Sequence, residues 1–299
     1  MGVEPGDRTV RLRPPADGSE RELVLGLNAD HVELLSPMDE DRLAMLESTG
    51  RVEVVDVDGE VAGFVVTMPA GTGYDSRLYR WFGERYDDFL YLDRVVIAPG
   101  FRRTGVAGAV YDLIEARAGR HGLFALEVNS EPPNEASLAF HRRRGFAQVG
   151  EVVDGPKRIA MLTRDAAWPE AVVRMWDEDR ASRALGMRLD AVAPGRAVVT
   201  MPVREDMVNG HEIGHGGLTF AVADSAFACA CNSHGPVTVA AGASIRFRSP
   251  VRLGEMLEAS ATERSREAGR GVYDVVVRAD DRVVAVFEGY ASELRREER

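Results

Sequence analysis

Lysine is nearly missing from this chain: Lys157 stands alone against 36 arginines. A Schiff-base mechanism therefore has at most one nucleophile to draw on. Cysteine is as scarce, with only Cys229 and Cys231, two positions apart. At that spacing on a helix they face in different directions and cannot staple distant segments, so both read as small core residues in a reducing cytoplasm. No apolar run approaches the ~18 residues of a helical membrane span, which excludes one. The opening MGVEPGDRTVRLRPP has no apolar h-region, and Gly6 stands where a myristoylation signal wants Ser or Thr. Neither a secretory leader nor a lipid anchor is expected. Positive charge is in deficit, with 37 Lys and Arg against 48 Asp and Glu for a net charge of -11. Sequence-independent nucleic-acid binding needs clustered cations and is not expected. There is no G-x-S-x-G elbow, so a serine hydrolase would lack its nucleophile. His211 and His215 have i,i+4 spacing, but Gly210, Gly214 and Gly216 argue against a zinc-binding helix, and no metal site is expected.

What is present is ordinary globular material: 299 residues, 45% hydrophobic and 28% charged, a length that suits two domains. Residues 50–68 form two β-rich runs around Asp58-Gly59, a strong hairpin signal. A strand follows at 89–98, a helix from about Val106 to Ala118, a strand at 123–129 and a helix near Glu135–Arg144 that stops at Gly145. This order predicts a mixed α/β domain over 1–165. The segment from Asp154 to Pro169 has little periodicity, which puts the linker around 163–169. Beyond it the pattern predicts a helix at about Ala171–Ala184, a strand pair around Pro194-Gly195 and a long helix from about Gly216 to Asn232. Strands follow near 237–248, 255–265, 271–279 and 283–294. One long helix followed only by strands predicts an α+β domain over 166–299, an antiparallel sheet wrapped on that helix. No internal repeat joins the halves.

The run Arg102-Arg103-Thr104-Gly105-Val106-Ala107-Gly108 sits between a predicted strand and a predicted helix. Glycine there lets backbone N–H groups approach an anion, and the helix N-terminus adds partial positive charge, an arrangement suited to pyrophosphate. With Asn134-Glu135-Ala136-Ser137-Leu138-Ala139-Phe140-His141 and Gly145-Phe146 downstream, residues 8–163 resemble the GNAT N-acetyltransferase superfamily. Its acyl-CoA loop, Q/R-x-x-G-x-G/A, is matched by Arg102, Gly105 and Ala107. The resemblance implies acetyl-CoA held by the backbone of Val95, Val96 and Ile97, by the loop from Arg102 to Gly108, and by Asn134. The sequence departs from the family at His141, where a Tyr usually protonates the departing thiolate. His141 is then either that acid or a structural residue beside Arg142, Arg143 and Arg144. Asp93 and Glu127, carboxyls inside β-rich sequence, are candidates for the base that deprotonates an acceptor amine. The aromatic, bicharged segment 74–89 falls where acceptors bind in such a fold, and core packing gives the same composition.

In the second half, the predicted helix is apolar or small from Leu218 to Cys231 except around Asp224. An unpaired buried carboxylate is costly, so Asp224 has either a partner such as Arg246 or Arg248, or a chemical task. His215-Gly216-Gly217 opens the helix and leaves backbone N–H groups accessible to an oxygen carrying developing charge. From about Met175 to Leu294, through MWDEDRASRALGM, NGHEIGHGGLTFAVADSAFACACNS and VAAGASIRFRSPVRLGE, the chain resembles hotdog-fold thioesterases of the phenylacetyl-CoA thioesterase family. The resemblance implies hydrolysis of an aryl- or arylacetyl-CoA thioester. Asp224 would be base or nucleophile and Gly216 the oxyanion donor, with Asn209 and His215 ordering thioester or water, in sites between subunits of a dimer or tetramer. Glu178 replaces an Asn found in family members, and Arg246 and Arg248 are candidate contacts for CoA phosphates.

The joint expectation is a cytoplasmic bifunctional enzyme. It uses acyl-CoA and amine substrates, holds no permanent cofactor, engages neither nucleic acid nor membrane, and assembles as a homodimer or homotetramer through its hotdog domain. A non-catalytic, ligand-sensing N-terminal domain and a carrier-protein-linked thioester substrate are the alternatives.

Overall fold

The computed structural model describes residues 8–33 and 35–294. The opening residues 1–7, on which the leader and lipid-anchor expectations rest, lie outside it. Two compact units part between Ala167 and Trp168. Among the described residues no helix is long and apolar enough to cross a membrane.

The first unit runs β1 (Val10–Arg13), α1 (Gly18–Ala29), α2 (Glu40–Thr49), β2 (Arg51–Val57), β3 (Glu60–Pro69), α3 (Arg77–Gly83), β4 (Leu90–Ile97), α4 (Val106–Ala118), β5 (Leu123–Glu131), α5 (Glu135–Arg143), β6 (Ala147–Asp154) and β7 (Lys157–Asp165). Its seven-stranded sheet has the order β1-β2-β3-β4-β5-β7-β6. Asp58 and Gly59 both take left-handed φ, 54° and 92°, so the hairpin signal at Asp-Gly folds as its chemistry dictates. The sheet is antiparallel except between β4 and β5, which run parallel and pair only over Leu90–Leu92 with Phe124–Leu126. Past that point the two strands lose their mutual hydrogen bonds, while β4 stays paired to β3 through Val95, Val96 and Ile97. A split thus opens in the middle of an otherwise continuous sheet. Core packing on the α1 and α2 face includes Phe64, Met68, Phe82, Phe89 and Tyr91. Strand β7 occupies much of the stretch that lacks periodicity in the sequence. Its residues Ile159–Thr163 are all buried, and a strand covered on both faces does not alternate.

The second unit runs α6 (Glu170–Glu178), α7 (Arg180–Ala184), β8 (Arg188–Ala193), β9 (Arg196–Pro202), α8 (Gly216–Asn232), β10 (Thr238–Phe247), β11 (Met256–Glu267), β12 (Arg270–Ala279) and β13 (Arg282–Glu293). Its antiparallel sheet, ordered β10-β13-β12-β11-β9-β8, wraps α8, and this is the hotdog fold. The apolar face of the sheet and the buried side of α8 form one core, with Phe227 1% exposed. Gly289 of β13 is there for clearance, since a Cβ at that position would lie 2.8 Å from the Phe227 ring. The single helix expected over 171–184 is two helices. Asp179 ends the first and caps the second, its carboxylate accepting from Ala181 and Ser182 N–H.

Candidate active sites

In the first unit the split between β4 and β5 opens into a cleft of about 680 Å³. A bulge opposite Val66 and Thr67 displaces Asp93 from the β4 ladder into the cleft lining. Val95 and Val96 line the same cleft, and the Ile97 carbonyl accepts from Arg102 Nε at 2.9 Å. The Arg102 guanidinium also donates to His31 Nε2, so Arg102 folds back over the end of β4. Arg103 and Gly105 take left-handed φ of 62° and 89°, and Thr104 Oγ donates to Phe101 O at 2.6 Å. Helix α4 begins without a side-chain cap. Its first helical hydrogen bond is that of Ala109 N–H to Gly105 O, leaving the N–H groups of Val106, Ala107 and Gly108 ahead of it. Nothing lies within 4 Å of a Cβ placed on Gly108. This is an uncapped helix start with an open approach, of the kind that holds pyrophosphate. Asn134 lines the cleft and caps α5, accepting from Ser137 N–H at 3.2 Å.

The two candidate carboxyls have different surroundings. Asp93 accepts from Tyr74 OH at 2.5 Å and from Arg94 Nε at 3.0 Å, so both its oxygens are engaged. Arg94 is itself held by the Ser36 carbonyl at 2.7 Å and by Asn28. Glu127 Oε2 and the Tyr91 hydroxyl are buried without a hydrogen-bond partner among the described residues. Burial, reinforced by the charge of Asp93, pushes the Glu127 carboxyl up to about 8. An acid in that range exchanges protons near neutral pH, while the two Asp93 oxygens are taken up by Tyr74 and Arg94. Tyr74, Tyr91 and Arg94 carry this distinction, and none is marked by a motif.

His141 does not fit the acid role. It is 4% exposed and stacks edge-on against Tyr111, Phe140 and Phe146. Its Nδ1 lies 2.8 Å from the Ser137 carbonyl oxygen and must carry the ring proton. Nε2 then accepts from Tyr111 OH at 2.7 Å. Burial holds the imidazolium down to about 4, so at neutral pH the ring is neutral and its one N–H is held by the Ser137 carbonyl. The segment 74–89 divides between tasks: Tyr79, Phe82 and Phe89 enter the core, while Tyr74, Asp75 and Arg77 line the cleft.

In the second unit, His215 caps α8 with Nδ1 accepting from Gly217 N–H at 3.0 Å. The N–H groups of Leu218 and Thr219 turn to the His215 carbonyl at 2.9 and 3.3 Å. In this first turn the Gly216 N–H is the one left without a partner among the described residues. A Cβ on Gly216 would lie 3.0 Å from Phe247 Cζ, so glycine keeps that donor clear beneath an aromatic ring. Asp224 is half-buried and makes no hydrogen bond or ion pair among the described residues. Burial raises its carboxyl above the ordinary range. Arg246 and Arg248 are exposed, and neither reaches it. Asn209 closes its own loop, Oδ1 accepting from His211 N–H at 2.8 Å and its backbone N–H bonding Ile213 O at 2.8 Å. Beside Asp224, Ser225 Oγ meets Ser182 Oγ at 2.9 Å, and Ser182 donates to Asp179, tying α7 to α8. Glu178 is exposed at the end of α6. Among the described residues no cluster of His, Cys, Asp or Glu has the makings of a metal site.

Comparison with known proteins separates the same two parts. Residues 26–146 match the GNAT acetyltransferase family and residues 211–286 the thioesterase superfamily. The acyl-coenzyme A thioesterase PaaI of Escherichia coli is 42% identical over 124 residues, which are 41% of this chain and 88% of that protein. A putative esterase of Deinococcus radiodurans is 35% identical over 113 residues, 37% of this chain and 77% of that protein. The solved structure of the E. coli PaaI protein from the phenylacetic acid degradation operon aligns with a TM-score of 0.41 at 38% identity, covering 42% of this chain and 92% of that one. The chain therefore carries a match to the GNAT acetyltransferase family over residues 26–146, and through its C-terminal part it belongs to the PaaI-type thioesterases of the thioesterase superfamily.

Proposed function

We propose that this protein is a bifunctional CoA enzyme. Its C-terminal domain, 166–299, hydrolyses an aryl- or arylacetyl-CoA thioester, and its N-terminal domain, 1–165, transfers an acetyl or acyl group from CoA to an amine. The observation that carries the first half is the unpaired carboxyl of Asp224 on the same helix as the free Gly216 N–H. Eight residues at 1.5 Å rise put these groups about 12 Å apart along the axis. A carbonyl carbon under attack must lie within about 3 Å of the nucleophile while its oxygen reaches the donor. Asp224 and Gly216 of one chain therefore cannot serve one thioester, and two copies of α8 running past each other supply the pair. The β10 edge supports such a dimer. Among the described residues β13 is its one neighbouring strand, and nearly all of its residues are exposed, including Val239 at 42% and Phe247 at 56%. Bare apolar edges of this length are ordinarily covered by another strand. A dimer or a pair of dimers follows.

In this site Asp224 takes a proton from water as the water attacks the thioester carbonyl, or it attacks the carbonyl itself to form a mixed anhydride that water then cleaves to the free acid and the aspartate. The Gly216 N–H holds the oxyanion, and the CoA thiolate leaves. His215 fixes the start of α8, and Asn209 shapes the loop before it. In the N-terminal domain the pyrophosphate lies on the N–H groups of Val106, Ala107 and Gly108, with Arg102, Arg103, Thr104 and Gly105 forming the loop. The acyl arm follows the open edge of β4 at Val95, Val96 and Ile97 toward Asn134. Glu127 accepts the proton of the attacking amine, and the thiolate leaves to solvent. His141 keeps α4 and α5 together through Tyr111. The two buried free thiols suit a reducing cytoplasm.

The test is thiol release by the full-length protein from phenylacetyl-CoA, benzoyl-CoA and straight-chain acyl-CoAs without amine, followed by acetyl-CoA with an amine panel read by product mass. Amine-independent hydrolysis favouring the aromatic thioesters, and amide product in the second experiment, are expected. Hydrolysis of carrier-protein thioesters alone would refute the first half. Acetyl-CoA binding with no amide from any amine would leave the N-terminal domain a sensor and refute the second.

A further inference from the structure

The acceptor end of the N-terminal cleft has an uneven set of charges. Three of its arginines are neutralised by carboxylates: Arg42 by Asp75 at 2.7 Å, Arg77 by Asp154 at 3.3 Å, and Arg94 by Asp93 at 3.0 Å. Lys157 also lines the cleft, and no carboxylate reaches it among the described residues. Its Nζ lies 3.5 Å from the Glu33 carbonyl oxygen, a neutral contact at the limit of a hydrogen bond. Glu127 is the matching carboxyl without a cation, its Oε2 buried and unpartnered.

Strand register puts these two groups on one wall. Glu127 pairs with Met161 and Asn129 with Ile159, and alternation along β7 places Lys157 on the face shared by Ile159 and Met161. Four residues of extended strand separate Met161 from Lys157, about 13 Å between backbones. Glu127 lies at the inner end, toward the paired part of β4 and β5. Lys157 lies at the outer end, beside the β6–β7 turn that Arg77 ties down through the Val153 carbonyl at 2.9 Å. A buried carboxyl without an ion-pair partner and an ammonium without a carboxylate, set apart along one wall, complement an opposite pair of charges on a ligand.

We propose that the acceptor is a small amine bearing a distal anionic group, its nitrogen delivered to Glu127 and its carboxylate or phosphate bound by Lys157. The assignment rests on the acyltransferase reading of this cleft. The two charges of the acceptor are separated by a spacer of several bonds, so an α-amino acid, whose charges are adjacent, spans the wall poorly. Lys157 is a specificity-determining residue here. Its ammonium acts on binding and takes no part in bond making.

The experiment measures acetyl transfer from acetyl-CoA to ω-amino carboxylates of increasing chain length, to alkylamines of matching length and to α-amino acids. It uses the full-length protein and its Lys157→Gln and Lys157→Arg variants. A charge-assisted contact of this kind corresponds to about 10- to 100-fold in kcat/KM, carried by KM. The native protein is expected to prefer the ω-amino carboxylate over its alkylamine by that factor. Lys157→Gln should bring the ratio toward one, and Lys157→Arg should keep most of it. Equal use of both acceptor types by the native protein, or a ratio that survives Lys157→Gln, overturns the inference and leaves the transferase reading standing. Acetyl-CoA binding with no transfer to any amine overturns the transferase reading and the inference together.

Discussion

Glu127 offers the sharpest test of the N-terminal chemistry because its environment fixes a direction in both activity and stability. Burial and the Asp93 charge move its carboxyl from 4.5 to about 8. At pH 7 about one tenth of the protein then carries the ionised base, and acyl transfer should rise nearly tenfold per pH unit until it levels off above about pH 8. The folded state binds the proton more tightly than the unfolded chain. Stability therefore falls as pH rises from the unfolded value through the folded one, by up to about 3 kcal/mol at pH 7. Glu127→Gln removes the titrating group and retains the shape. It should lower kcat by about 10²–10⁴-fold, abolish the slope between pH 6 and 8, and make the protein more resistant to urea at pH 8 than the native form. The assay is kcat against pH with a saturating amine, alongside urea unfolding at pH 5 and pH 8. An unchanged pH profile in Glu127→Gln, or a variant less stable than the native protein at pH 8, would remove Glu127 from the role of a buried, titrating base.

Other consequences can be checked separately. His141→Ala removes a buried ring packed on three aromatics, costing about 2–4 kcal/mol of stability, yet acyl transfer per folded molecule should stay within a few-fold; a loss of about 100-fold with the fold intact would return His141 to the acid role. Gly289→Ala drives a methyl into the Phe227 ring and should destabilise the C-terminal domain by about 1–3 kcal/mol, seen as a lower Tm; no shift in Tm would show that β13 and α8 have slack there. Lysines at Val239 and Ala243 place charge on the open β10 edge and should yield monomers by sedimentation, with thioesterase activity lost at the same time. Monomers that retain full activity would contradict a site shared between copies.

The elements legible in the sequence are those with local causes. Asp58-Gly59 fixes its hairpin through left-handed φ at both residues. The glycines after His215 and the apolar run to Cys231 mark α8 from Gly216 to Asn232. Strand β7 is hidden because burial on both faces erases alternation, whereas α1 and α2 do carry local start signals in their capping aspartates, Asp17 and Asp39. The break at Asp179 was readable in principle, since an acidic side chain followed by Ala181 and Ser182 can cap a new helix. The candidate sites were legible as residue types and not as states. Asp93 and Glu127 look alike in sequence, and Tyr74, 19 positions before Asp93, is what separates them. His141 takes its character from rings on α4 and beyond α5, a tertiary fact. Lys157 carried the plainest signal of all, its solitude, with nothing local to say what it faces.

Asp224, unpaired and half-buried on α8, is the group proposed to perform thioester hydrolysis. The direct measurement is thiol release from phenylacetyl-CoA without amine by the native protein and by Asp224→Asn, with folding checked by circular dichroism. A fall of about 10²–10⁴-fold in kcat is expected for a variant that folds as well as the native protein. Equal turnover by the two proteins would contradict it.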